Sequence, residues 1–159
     1  MNQAKIDRFM VGVGTIIQHE QTDKILITKR IHDFQNGEWE FLYGRLDHHE
    51  GFVKGLKREV FEETGIKDLN LKKILRIWHF YRGTKDANKE IFGLTFWATT
   101  NTSKIKLSPE HSNYKWVKPT EAKKYIKIKG LINDLEIFLK DKTGLGINIS
   151  GAEEMVEKY

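Results

Sequence analysis

No cysteine occurs in the 159 residues, which excludes disulfides and thiolate metal sites and permits a reducing compartment. No apolar run approaches the roughly 18 residues that a membrane span needs. The opening "MNQAKIDRF" has no apolar stretch of signal-peptide type. A cytoplasmic chain with no membrane partner is the resulting expectation. Internal repeats, low-complexity tracts and linkers are also missing, and domains mostly run about 100–200 residues. Residues 1–159 therefore read as a single domain, with a tail from about Gly144 that lacks a clear period and is expected to be loosely held. Dense Lys/Arg clusters with interleaved aromatics are missing as well, so no DNA partner is expected. The balance of 27 basic and 22 acidic side chains, a formal charge of +5, favours anionic ligands such as nucleotides through the general field. Oligomeric state is not legible in these features.

What is present is a composition 39% hydrophobic and 31% charged, suited to a globular protein with an ordinary core. "FMVGVGTIIQ" (9–18) and "KILITKR" (24–30) read as strands joined by the polar turn "HEQTD", a hairpin over 9–30. A short strand follows over Trp39–Tyr43. The period then changes. Val53, Leu56 and Val60 form a helical stripe over about 52–64, stopped by Gly65. "LKKILRIWHFY" and "EIFGLTFWATT" are long strand-like runs, "YKWVK" a short one, and "PTEAKKYI" and "LINDLEIFLKDK" read as helices. Strands, helix, strands, helices make a mixed α/β domain, with the first helix packed on a mixed sheet.

The first helix is the unusual part. With Glu59 set at 0° and about 100° per residue, Glu63 falls near 40° and Glu62 near 300°. Leu56, Val60 and Val53 occupy the adjoining arc that would face the sheet. Three carboxylates thus crowd the edge of the buried face, in the last turns, where the helix dipole disfavours negative charge. An i, i+4 pair about 5–6 Å apart repels by roughly 3 kcal/mol at an effective dielectric near 20. Lys57 and Arg58 offset part of this, and Glu50 reaches Arg58 if the preceding chain folds back. A hard divalent cation would remove the rest, since Mg²⁺ binds carboxylate oxygens and keeps waters for a phosphate substrate.

The spacing around those acids carries more information. Gly44 is followed after five residues by Glu50, after seven more by Arg58–Glu59–Val60, then Glu62–Glu63 and Gly65–Ile66. This resembles the Nudix hydrolase box, G-x5-E-x7-R-E-U-x-E-E-x-G-U, at all nine specified positions. Chance agreement per start point is on the order of 10⁻⁹ at average residue frequencies. "GEWEFLYGRLDHHEGF" resembles the family's approach to the box, W-x-x-P-G-G-x-x-E-x-G-E, with Leu42, Tyr43, Asp47 and His49 as departures. "LSPEHSNYKWVKPTEA" resembles its later E-H-x-x-x-x-W-V segment. The resemblance covers about residues 9–140.

The resemblance implies an α/β/α sandwich that hydrolyses a nucleoside diphosphate linked to another group, with Mg²⁺ or Mn²⁺. It makes Glu59, Glu62 and Glu63 the metal ligands, and Arg58, Glu59, Glu63 and Glu110 the catalytic set, with Glu110 a base or ligand from a late loop. Arg58 and Glu50 would fix the loop against the helix. Gly44 and Gly65 would serve the loop's turn and the helix stop, and the Tyr43 carbonyl occupies a metal-binding place of the family. His48 and His49 beside Asp47 read as an exposed pair. Trp78, Tyr81 and Trp97 read as core; Tyr81 lies where the family's dinucleoside polyphosphate hydrolases carry a tyrosine. Two other functions stay open: a nucleotide sensor without catalysis, and an RNA-end pyrophosphohydrolase.

Overall fold

The computed structural model describes residues 9–31 and 35–140, and the backbone of Met155–Val156. Strand β1 (Met10–His19) is the centre of the fold, because its glycines and β-branched residues suit a strand covered on both faces. It runs parallel to β6 (Glu90–Thr100) over its whole length and antiparallel to β4 (Leu42–Arg45). Strand β2 (Ile25–Arg30) follows a tight turn closed by hydrogen bonds between His19 and Lys24 and between Asp23 and His19. The expected hairpin is therefore present but short. β1 and β2 pair at Gln18 opposite Ile25, and β2 then serves β3 (Trp39–Glu40) and β7 (His111–Val117).

Strand β5 (Asn70–Tyr81) pairs antiparallel with β6, and β8 (Met155–Val156) adds in parallel beside Phe80 and Tyr81. The sheet is mixed, in the order β3-β2-β1-β6-β5-β8, with β4 on β1 and β7 on β2. The rest of the tail lies outside the described residues.

One helix packs on each face. Val13 and Ile17 of β1 join Leu56 and Val60 of helix α1 (Phe52–Thr64) in one core. Ile16, on the other face of β1, joins Leu131, Leu135 and Phe138 of helix α2 (Lys129–Lys140) in the second. Two expectations need correcting. Val53 is 52% exposed; its neighbours Phe52 and Lys54 are exposed too, and the buried stretch of α1 begins only at Gly55 and Leu56. Residues Pro119–Lys124 form a 3₁₀ helix, a geometry common in short pieces. No described helix is long and apolar enough to cross a membrane.

Candidate active site

Helix α1 ends where Gly65 takes φ +74 and donates its N–H to the Phe61 carbonyl, a left-handed cap that glycine adopts without a Cβ penalty. The loop beyond β6 ties itself to the same end: Lys106 N–H donates to Thr64 O and Ser108 N–H to Glu63 O. These bonds satisfy carbonyls that a helix terminus leaves open, and they dock the segment carrying Glu110 beside the last turn of α1.

The three helix acids differ in depth. Glu63 is 6% exposed, whereas the side chains of Glu59 and Glu62 are 18% and 55% exposed, the order their angles toward the apolar arc dictate. Arg58 organises the outer two and the loop. Its Nε and Nη2 donate to the two oxygens of Glu50 at 2.9 and 2.8 Å, its Nη1 to Glu59 and Glu62 at 3.1 Å each, and Nη2 also to Arg45 O at 3.0 Å. Those bonds from Arg58, with a backbone bond from Asp47, pull the Glu50 carboxyl down to about 2. Gly44 lies within β4, not in a turn as the sequence suggested. A Cβ there would overlap the Glu59 carboxylate, so the close approach of that side chain is what requires glycine.

Glu63 faces an unfriendly environment. Its Oε2 is buried with no hydrogen-bond partner among the described residues. Burial, then the charges of Glu59, Glu40 and Glu110, push its carboxyl up to about 9, against some relief from Arg30. Burial also raises the Glu59 carboxyl, with Arg58 opposing. Of these neighbours, Glu40 and Arg30 went unnoticed in the sequence. Glu40, on β3, accepts from Arg30 Nη1 at 3.0 Å and lies 3.1 Å from Nε2 of the buried His111. Its one signal is a lone acid inside the apolar run "WEFL". Glu110 is half exposed, 3.4 Å from Arg30 Nη2, and lines the same cavity as Glu40, Glu59 and Glu63.

Among the described residues no three His, Asp or Glu groups already stand together as a metal cluster. Arg58 occupies one oxygen each of Glu59 and Glu62, while Glu63 keeps an oxygen unpaired. A buried carboxylate oxygen without a donor, flanked by further acids, fits a hard divalent cation, which binds oxygen ligands and cancels their repulsion. His48 and His49 are exposed, with rings 6.4 Å apart, and no third ligand joins them among the described residues.

The cavity has a volume of about 820 Å³, and the part lined by β5 and the start of α2 is built differently. Trp78, Phe80 and Tyr43 line it, above Arg76 and the start of α2. Gly12 and Gly93 make room for Trp78, and Gly14 for Tyr43, since a Cβ at any of the three would overlap those rings. Asp134 of α2, fully buried, accepts from Arg76 Nε, from Tyr43 Oη, and from Thr95 Oγ1 at 3.0 Å. Arg76, Tyr43 and Asp134 were not among the sequence candidates, Tyr43 having been read for its carbonyl alone. Trp78, Tyr81 and Trp97 are mostly buried, as core residues should be, and of the three only Trp78 also lines this cavity.

Known proteins resemble this chain in both sequence and fold. The NUDIX domain model matches residues 8–135. An RNA pyrophosphohydrolase of Pelagibacter ubique is 31% identical over 122 residues, spanning 67% of this chain and 74% of that protein. An 8-oxo-dGTP diphosphatase of Buchnera aphidicola is 33% identical over 108 residues, 67% of this chain and 75% of that one. Among solved structures, a MutT protein from Methanosarcina mazei superposes with a TM-score of 0.68 at 21% identity, covering 88% of this chain and 100% of its own. A C. elegans Ap4A hydrolase does so with a TM-score of 0.67 at 21% identity, covering 86% and 99%. With a family match over most of its length and a complete box on α1 and the strand before it, the chain belongs to the Nudix family of pyrophosphate-bond hydrolases.

Proposed function

We propose that the protein hydrolyses the pyrophosphate bond of a nucleoside diphosphate linked to a further group, using Mg²⁺ or Mn²⁺ held by Glu59, Glu62 and Glu63. The observation that carries this reading is Glu63, a buried carboxylate with an unpaired oxygen among other acids, which is costly unless a cation comes to it. Glu59, Glu62 and Glu63 would hold the cation, which would supply charge neutralisation at the phosphate and a lowered pKa for an attacking water. The chain supplies the rest. Arg58 fastens the loop through Glu50 and holds Glu59 and Glu62 from one side, and Glu59 and Glu63 line the cavity. Glu59 and Glu110 both line the cavity and are the candidates to take a proton from water. Arg30, between Glu40 and Glu110, keeps the late loop against the acids.

Excess chelator should abolish turnover, and Mg²⁺ or Mn²⁺ should restore it; turnover that persists in chelator overturns the mechanism. Single-turnover rates assign the base: its change to Gln should cost about 10²–10⁴ in rate, with a smaller change in substrate affinity. Glu59→Gln is the expected loser; a near-normal rate there with a collapsed one in Glu110→Gln moves the base to the late loop. The substrate screen belongs beside it: nucleoside triphosphates, nucleotide sugars, dinucleoside polyphosphates and 5′-triphosphorylated RNA. The RNA arm is supported by two relatives named RNA pyrophosphohydrolase.

A further inference from the structure

The part of the cavity lined by β5 and the start of α2 combines an aromatic wall with one unspent hydrogen-bond donor. Arg76 is 9% exposed and lines the cavity. Its Nε is committed to Asp134 and its Nη2 donates to Gly130 O at 3.3 Å, which leaves Nη1 without an acceptor among the described residues. Asp134 has nothing left to offer: one oxygen takes Arg76 and the other takes Tyr43 and Thr95. The pair is also electrically neutral as a unit. An incoming anion would find no net positive charge there, whereas a neutral oxygen acceptor would complete the guanidinium's hydrogen bonding. A donor group would meet another donor and stay unpaired, at the full cost of desolvation.

Trp78 gives this part its second property. Its indole is pinned by Nε1–H donating to Thr95 Oγ1 at 3.0 Å and packs beside Phe80 at 5.2 Å between ring centres. A planar ring can pack against that surface. Glu59 and Glu63 line the same cavity from α1, which packs on the opposite face of the sheet from α2, so a nucleotide whose phosphates lie among those acids can set its base against Trp78 and Arg76.

Resting on the function proposed above, we infer that Arg76 is a specificity-determining residue that reads the keto edge of the nucleobase. The site then favours bases with a carbonyl oxygen where others carry an amino group: guanine and hypoxanthine over adenine, and uracil over cytosine. Arginine donating to O6 and N7 is the common way such an edge is recognised. Tyr43 and Asp134 hold the guanidinium in place without touching the base.

The cleanest comparison is inosine triphosphate against adenosine triphosphate, since O6 against N6 is their main difference. The wild-type protein with Mg²⁺ should prefer the inosine nucleotide by about 10- to 100-fold in kcat/KM. A ratio near 1, or reversed, overturns the assignment. Arg76→Lys keeps a cation for Asp134 but loses the fork, and the ratio should fall to near 1. The double variant Arg76→Met with Asp134→Asn, which leaves no buried charge, should do the same. A full preference retained in either variant, with folding verified by urea denaturation, also overturns it. Binding of inosine and adenosine monophosphates, measured by calorimetry without metal, separates this inference from the hydrolysis reading. Arg76-dependent preference for the inosine nucleotide, with no turnover of any member of the substrate screen, would sustain the specificity and sink the hydrolysis; turnover without preference would do the reverse, and binding of neither nucleotide would overturn the specificity.

Discussion

Helices α1 and α2 each bury one carboxylate against the central sheet, on opposite faces, and the two groups meet opposite fates. Asp134 is fully enclosed by Arg76, Tyr43 and Thr95, and both its oxygens are used. Glu63 is nearly as deep, yet one oxygen has no donor and its nearest charged neighbours are mostly acids. Burial of a charge is tolerated when partners replace water and is costly when they do not. A fold that completes one such site and leaves the other open has built two different things. The α2 side is a finished scaffold that also holds Arg76 and Tyr43 in place. The α1 side leaves a buried carboxylate oxygen without a donor among the described residues, where the proposed cation would bind.

Removing a partner from the finished site should have the largest effect on stability. Asp134→Ala leaves Arg76 buried without its counter-ion and strips the Tyr43 hydroxyl of an acceptor. A loss of about 3–5 kcal/mol in urea denaturation is expected. A loss under about 1 kcal/mol would mean that water reaches Arg76 freely and that the two sides are less different than they look.

The open site should respond in the opposite direction. With its carboxyl raised to about 9 from the ordinary 4.5, Glu63 keeps a proton in the folded state that the unfolded chain has released. Its stability contribution is therefore full below about pH 4.5 and is lost as pH rises through about 9. Metal-free protein should weaken across that interval. Glu63→Gln, neutral at every pH and able to donate to the neighbouring acids, should show a flatter profile. At pH 9 it should be the more stable protein, by on the order of 2–4 kcal/mol. Parallel stability profiles for the two proteins would contradict this, and saturating Mg²⁺ should narrow the gap by stabilising the wild type.

The smallest change is expected at the rim. Glu62 is 55% exposed and touches Arg58 through one hydrogen bond. Glu62→Gln should shift stability by under about 0.5 kcal/mol, as surface ion pairs do, while weakening Mn²⁺ binding in a titration. Unchanged Mn²⁺ affinity would remove Glu62 from the ligand set.

Much of the acidic side was legible because its order is local. Residues three and four apart on one helix share a face whatever surrounds them, so the angles of Glu59, Glu62 and Glu63 already rank their burial. The link between Glu50 and Arg58 spans eight residues and one turn of chain, and it too is readable from spacing. Val53 was misjudged because a helical stripe says which face is apolar, not how far along the helix the sheet extends.

The amino-acid sequence by itself determined the class of fold, the helix over Phe52–Thr64 with its glycine stop, and the box that names the family. Each follows from period, from backbone preference, or from residue types at fixed short spacing. Tertiary structure alone decided that Arg76 and Asp134, 58 residues apart, would meet, and that Glu40 would stand near Glu63. A single arginine in "ILRIWHFY" and a single aspartate in "LINDLEIFL" mark themselves as charges in apolar company. Which charge answers which depends on the strand order that sets β5 beside β6 and on α2 crossing the face where Arg76 points, and no local pattern carries that information.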